Sequence, residues 1–398
     1  MSYPWFPEES AVSGSPPLVL TLFGTRPEVV KLAPVLEALE TLPGLRTLNI
    51  FTGQHADLAR PFLSHFGVRV DGDLGVMQPG QGLTGLCAAV MRAVDEVVAR
   101  TGPALVLVQG DTTSAMAGTL AGFHRGVPVG HVEAGLRSGD LRSPFPEEAN
   151  RRVVSALATY HFAPTETNRA ALLREGVPAA RIHVTGNPVV DALLRTLEQS
   201  TPSPVARALL ADTEGMRRVV LTTHRRESFG RTMRDNLAVL GEFVTAHPDV
   251  ALIFPVHPNP EVEAAVAEIL TAAPRVYRVP PLEYPDFVHL LANAWLIVSD
   301  SGGVQEEAPT LGKPLLVLRE HTERGEALHA GVARLVGTDP ARLAAMLEEV
   351  YGDDSWVEQL ASIENPFGRG DAGRRIAHIV GEILGVRETA EAATEATP

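Results

Sequence analysis

The chain has 398 residues, 45% hydrophobic and 21% charged, with a formal net charge of −14 and one cysteine. That length exceeds the usual span of one hydrophobic core, so two domains are expected. The acidic balance argues against a nucleic-acid or anionic-membrane surface, and the lone Cys87 excludes an internal disulfide framework and suits a reducing compartment.

Residues 1–17 read as a flexible extension, with acidic residues where a signal peptide carries basic ones and no apolar run behind them. No segment is apolar for long enough to span a bilayer, so the expected location is cytoplasmic, with no membrane partner. From Leu18 onward a short aliphatic run, a polar turn and an amphipathic helix repeat. Strands are predicted at Leu18–Phe23, Leu45–Thr52, Leu105–Gln109, Val127–Val132 and Ile182–Val184. They are apolar at nearly every position, as parallel strands buried on both faces are. Helices are predicted between them at Pro27–Glu40, Leu83–Arg100 and Ser114–Arg125, which gives a doubly wound parallel sheet over residues 18–187.

The motifs of this half sit at strand ends. FGTRPE, Phe23 to Glu28, joins a strand to a helix; the free N–H groups there, with Arg26 and Lys31, suit an anion, and a plain αβ turn with two solvated cations is the alternative. Gly80 to Gly85 matches GxGxxG but follows no strand, so a helix-capping loop replaces the dinucleotide reading. Asp111 and Glu133 each follow a predicted strand, where open α/β sheets place their ligands. Glu147 and Glu148 open a helix after the proline-stiffened loop SPFP. Asp111, Glu147 and Glu148 read equally as helix caps. Several acids at one crevice suit general acid/base work.

After a hinge near Gly186–Asn187–Pro188 and a polar stretch from Glu198 to Gly215, the pattern restarts over residues 188–371. Strands are predicted at Val219–Thr223, Val250–Val256, Val276–Val279, Trp295–Ser299 and Pro314–Leu318, with helices at Thr232–His247 and Pro260–Thr271. His224 and Arg225-Arg226 follow the first of these strands, and His257 follows the second. Asp300 to Glu307, DSGGVQEE, follows a later strand and opens a helix. Ser301, Gly302 and Gly303 permit close backbone approach to phosphate there, and Glu307 is placed to accept from ribose hydroxyls; a structural glycine turn is the alternative. No histidine pair has a zinc spacing, so neither a metal nor a cofactor is expected. A final helix over about 372–386 is expected to pack back on the first domain, with residues 387–398 a disordered tail. The fold class is therefore α/β: two Rossmann-like, doubly wound parallel-sheet domains facing a central ligand cleft.

In order along residues 18 to 384, FGTRPE, GDTTS, GHVEAGLRSGD, SPFPEEANR, THRRESFGR, PVHPNP, SDSGGVQEEAPTLGKP and TERGEA resemble the non-hydrolysing UDP-N-acetylglucosamine 2-epimerase family. The resemblance implies a GT-B fold, a homodimer, and interconversion of UDP-N-acetylglucosamine and UDP-N-acetylmannosamine for surface-polysaccharide synthesis. It implies catalytic positions at Asp111, Glu133, Glu147 and His224. Substrate contacts are implied for these (Glu147 aside) and for Arg26, Lys31, Leu282, Phe287, Ser301, Gly302, Gly303, Glu307 and Arg324. Phe287 and Leu282 would hold uracil, Ser301 to Gly303 with Arg324 the phosphates, and Glu307 the ribose. Expelling UDP makes the sugar's carbon 2 proton acidic, so a carboxylate removes it without a redox cofactor. Asp111 and Glu133 would move the protons, Glu147 would position or relay, and His224 with Arg26 would stabilise departing UDP. A second, regulatory UDP-N-acetylglucosamine site would use Gln54, His55, Gln81, Arg225 and His257. This chain carries Ala56 and Gly80 where many members have basic residues, and Gly325 where the usual residue is proline. The competing readings are a GT-B glycosyltransferase, a hydrolysing epimerase and a non-catalytic UDP-sugar sensor.

Overall fold

The computed structural model describes residues 15–78, 80–223, 230–360 and 363–386. They fall into two compact units, one running up to Ala192 and resuming at Phe367, the other Leu193–Pro366. The first carries β1 (Leu18–Phe23), β2 (Arg46–Phe51), β3 (Gly72–Asp73), β4 (Leu105–Gln109), β5 (Val129–Val132), β6 (Tyr160–Ala163) and β7 (Ile182–Val184). All pair in parallel, in the order β3-β2-β1-β4-β5-β6-β7. The strand order reverses between β1 and β4, and the loops leaving those two strands flank the point where doubly wound sheets bind ligands.

Alternate residues of each strand enter different cores. Leu20, Leu22, Ile50, Val106 and Val108 pack with Val90, Val94 and Val97 of the helix Leu83–Thr101. On the opposite face Val19, Phe23, Phe51, Leu105 and Leu107 pack with Leu32, Val35 and Leu39 of the helix Arg26–Glu40. Both faces are therefore apolar, which is why these strands read as continuous hydrophobic runs. The second of these cores also takes Ile376, Ala377 and Val380 from the helix Ala372–Ile383, so the last helix completes the first unit.

The second unit carries β8 (Arg217–Thr222), β9 (Val250–Pro255), β10 (Val276–Val279), β11 (Leu296–Ser299), β12 (Leu315–Val317) and β13 (Ala333–Leu335). Its parallel order is β10-β9-β8-β11-β12-β13, with the reversal between β8 and β11. The division at Ala192 falls inside the helix Pro188–Gln199, a few residues beyond the expected hinge. The first turn of that helix is tied to the first unit: Asn187 N donates to Phe367 O at 2.6 Å, and Asp191 Oδ1 accepts from Gly373 N at 2.8 Å. Among the described residues no helix is long and apolar enough to cross a membrane.

Candidate functional site

In the first unit Gln109 of β4 pairs with Val132 of β5, so Asp111 and Glu133 leave adjacent strand ends. Glu133 has φ 65°, a left-handed backbone that a residue with a Cβ adopts at a cost on the order of 1–2 kcal/mol. Its carboxylate is buried and fully engaged. Oε1 accepts from Lys31 Nζ and from Asn187 Nδ2 at 3.1 Å, and Oε2 accepts from Gln109 Nε2. A buried carboxylate needs such a set of donors to stay charged. Lys31 is buried too, and it pairs with this carboxylate.

The Gly110-Asp111-Thr112 turn is held at each residue. His131 Nε2 donates to Gly110 O at 2.8 Å, and burial pushes this imidazole down to about 4, so the ring is neutral. Asn150 Nδ2 donates to Asp111 O at 2.8 Å, and Arg151 Nε donates to Asp111 Oδ2 at 2.9 Å. Thr112, rather than Asp111, caps the helix Thr113–His124, its Oγ1 accepting from Ala115 N at 3.0 Å and donating to Glu28 Oε1 at 2.7 Å. Glu147 is the first residue of the helix Glu147–Leu157 and is partly buried, with Glu148 buried beside it; Pro146 is the capping residue.

Glu28 changes the reading of FGTRPE. Gly24 N and Thr25 N, two of the amides expected to face an anion, donate instead to Glu28 Oε2 at 3.0 and 2.8 Å. Thr25 and Glu28 have the spacing of a capping box, the sequence signal that reveals this. Gly24 is required by close approach, since a Cβ there would stand 1.9 Å from Thr52 Oγ1. Arg26 is exposed at the start of its helix, 5.6 Å from the centroid of the Phe62 ring.

In the second unit Ser301 precedes the helix Gly302–Leu311 directly after β11, and its N–H donates to Ser299 Oγ at 2.9 Å. The Arg324 guanidinium lies over this helix start: a Cβ on Gly302 would stand 2.6 Å from Nη1. Arg324 is buried, with Nε donating to Glu306 Oε1 at 2.8 Å and Nη1 to Glu323 Oε1 at 2.6 Å. A fixed cation beside a helix N-terminus is the arrangement that recognises phosphate. Glu307, also buried, accepts from Tyr284 Oη at 2.9 Å, and Tyr284 opens the helix that carries Phe287, just beyond Leu282. Gly303 follows in the first turn of the helix that Ser301 caps, and Gly325 begins the short helix Gly325–His329 that Arg324 precedes.

Of the residues expected at a regulatory site, Gln54 and His55 line one pocket of the first unit. Gln54 is buried and locked, its Oε1 accepting from Ser114 N at 3.1 Å and Ser114 Oγ at 2.8 Å. His55 is exposed before the helix Ala56–Phe66, beside a pocket of about 550 Å³ also lined by Asp57, Asp73 and Met77. Gln81 Oε1 accepts from Gln78 N at 3.1 Å, and Gly82 caps the next helix, as a capping loop should. His257 is exposed after β9. His224 and Arg225 lie outside the described residues. No metal-binding group of three or more His, Cys, Asp or Glu occurs among the described residues. Gln109, Asn187, Asn150, Arg151 and Glu28 are the site neighbours that motif reading does not assign.

Burial pushes Glu28 up to about 7 and Asp191 up to about 6. Both bind protons more tightly folded than unfolded, so their contribution is full at low pH and lost as pH rises through those values. His131 at about 4, and His161 held near 3 by burial, work oppositely: their contribution is present above 6.5 and lost as pH falls through the folded values. Between about pH 5 and 7, the stability of Glu28→Gln should therefore climb with pH more steeply than that of the native chain. Urea unfolding at stepped pH measures both slopes, and equal slopes would refute the assignment.

A family profile described as UDP-N-acetylglucosamine 2-epimerase matches residues 37–381. A UDP-N-acetylglucosamine 2-epimerase of Escherichia coli strain K12 is 46% identical over 363 residues, covering 90% of this chain and 96% of that one. The Neisseria meningitidis UDP-GlcNAc 2-epimerase crystallised with UDP-GlcNAc matches with TM-score 0.86 and 38% identity, over 92% of this chain and 100% of that one. An S. aureus protein solved with UDP matches with TM-score 0.87 and 36% identity, over 94% of this chain and 99% of that one.

Proposed function

The chain belongs to the UDP-N-acetylglucosamine 2-epimerase family, and from that membership we propose that it interconverts UDP-N-acetylglucosamine and UDP-N-acetylmannosamine by inverting sugar carbon 2. The observation that carries this reading is the pair Asp111 and Glu133 on adjacent strand ends, each ion-paired with a buried cation. In the proposed reaction the bond from carbon 1 to UDP breaks, with its electron pair leaving on the diphosphate. The positive charge developing at carbon 1 acidifies the carbon 2 proton, which a carboxylate removes to leave 2-acetamidoglucal. Reprotonation from the opposite face and return of UDP to carbon 1 complete the inversion.

Asp111 and Glu133 exchange the protons, and Glu147 positions or relays. Arg26 and His224 stabilise departing UDP, with Lys31 fixing Glu133. On the second unit, Ser301, Gly302, Gly303 and Arg324 hold the diphosphate, Glu307 the ribose, and Leu282 with Phe287 the uracil. The helix start under Arg324 supports the diphosphate assignment. The proposed working state is a cytoplasmic homodimer needing no cofactor or metal. Gln54, His55, Gln81, Arg225 and His257 are proposed for a regulatory substrate site.

Incubation with UDP-N-acetylglucosamine in deuterated water, followed by proton NMR, tests the reading. Anomeric signals of both isomers should appear while deuterium replaces the carbon 2 proton. Accumulating UDP with free N-acetylmannosamine, or product without label, would overturn it.

A further inference from the structure

Arg151 has no part in the roles above, yet it is buried against Asp111. Its Nε and Nη2 both reach Asp111 Oδ2, at 2.9 and 2.6 Å. Its Nη1 donates to Glu148 Oε2 at 3.2 Å, and Glu148 is itself anchored by Ser138 N at 3.0 Å and Arg152 Nε at 3.3 Å. The guanidinium is thus fixed from behind and grips one carboxylate oxygen in front. A planar fork held on two sides has little freedom to reorient.

The two acids differ in what is left over. Both oxygens of Glu133 accept from the protein, Oε1 from Lys31 and Asn187 and Oε2 from Gln109. Asp111 Oδ1 accepts no hydrogen bond from the described residues. The same turn is clamped by His131 and Asn150 on its backbone and by Glu28 on the Thr112 hydroxyl, so the orientation of Asp111 is set by the fold and not by the substrate. We propose that Arg151 is a positioning residue for the epimerisation: by occupying Oδ2 of Asp111 it presents Oδ1 to the carbon 2 proton. The proposal rests on the epimerase reading.

Steady-state kinetics of Arg151→Gln and Arg151→Lys test it, with circular dichroism reporting the fold. A misaimed carboxylate costs turnover and not binding. Arg151→Gln should lower kcat about a hundredfold with KM within about threefold, and Arg151→Lys, which keeps the charge without the fork, should restore kcat to within about tenfold of wild type. Should Arg151→Gln not fold, Arg151→Lys decides: kcat down by about fivefold or more at constant KM supports the proposal. Unchanged kcat, or KM rising in step with the loss of kcat, overturns it. A wild-type chain that interconverts nothing would sink the epimerase reading itself; a working wild type with an indifferent Arg151→Gln sinks only the role of Arg151.

Discussion

Asp111→Asn is expected to cut turnover by about 10²–10⁴-fold while UDP still binds within a fewfold of wild type. The amide is isosteric, so the clamped turn keeps its three backbone and side-chain ties from His131, Asn150 and Glu28. It cannot take a proton from carbon, and it no longer offers Arg151 an anion. The residual ion pair of Arg151 with Glu148 remains to compensate the buried guanidinium. Because the proposed nucleotide contacts all lie on the second unit apart from Arg26, calorimetric UDP affinity separates lost chemistry from lost binding. Turnover within about tenfold of wild type would remove Asp111 from the proton-moving role.

The largest expected loss of stability is at Lys31. Replacing it with Met removes the cation paired with the buried Glu133 carboxylate and leaves the amide donors of Asn187 and Gln109 in place. Breaking one side of a buried pair costs about 3–5 kcal/mol, most of it the desolvation of the stranded charge. If that account is right, Lys31→Met combined with Glu133→Gln recovers much of the loss, since neither charge then remains. Denaturant unfolding of the single and double variants is the measurement. A double variant as unstable as Lys31→Met alone would show that the lysine stem, and not the charge pair, carries the effect.

Strands with unbroken aliphatic runs were legible in the sequence: β1, β4, β9 and β11 have nearly the predicted limits because both their faces are buried. β6 is not, since Tyr160–Ala163 holds His161 in its middle and a histidine ordinarily signals exposure; the fold instead buries it as a neutral ring. β3 and β13 span only two and three residues, too few to show a pattern. The positions of Asp111 and Glu133 follow from strand-end logic alone. Their supports do not: nothing in local spacing says that Arg151 returns to Asp111, or that Asn187 and Lys31 meet on Glu133. Glu28 is intermediate. Its capping of Thr25 is visible in Thr25-Arg26-Pro27-Glu28, whereas its reach to Thr112 needs β1 and β4 to be neighbours.

The helix Ala372–Ile383 lends Ile376, Ala377 and Val380 to a core whose other buried members lie between Val19 and Phe162. During synthesis that core waits for the whole of Leu193–Pro366 to be made first. At about 5–20 residues/s this is a delay on the order of ten seconds or more. Throughout it, the apolar stripe of Leu32, Val35 and Leu39 lacks its final cover, so the emerging polypeptide is a natural client for a holding chaperone.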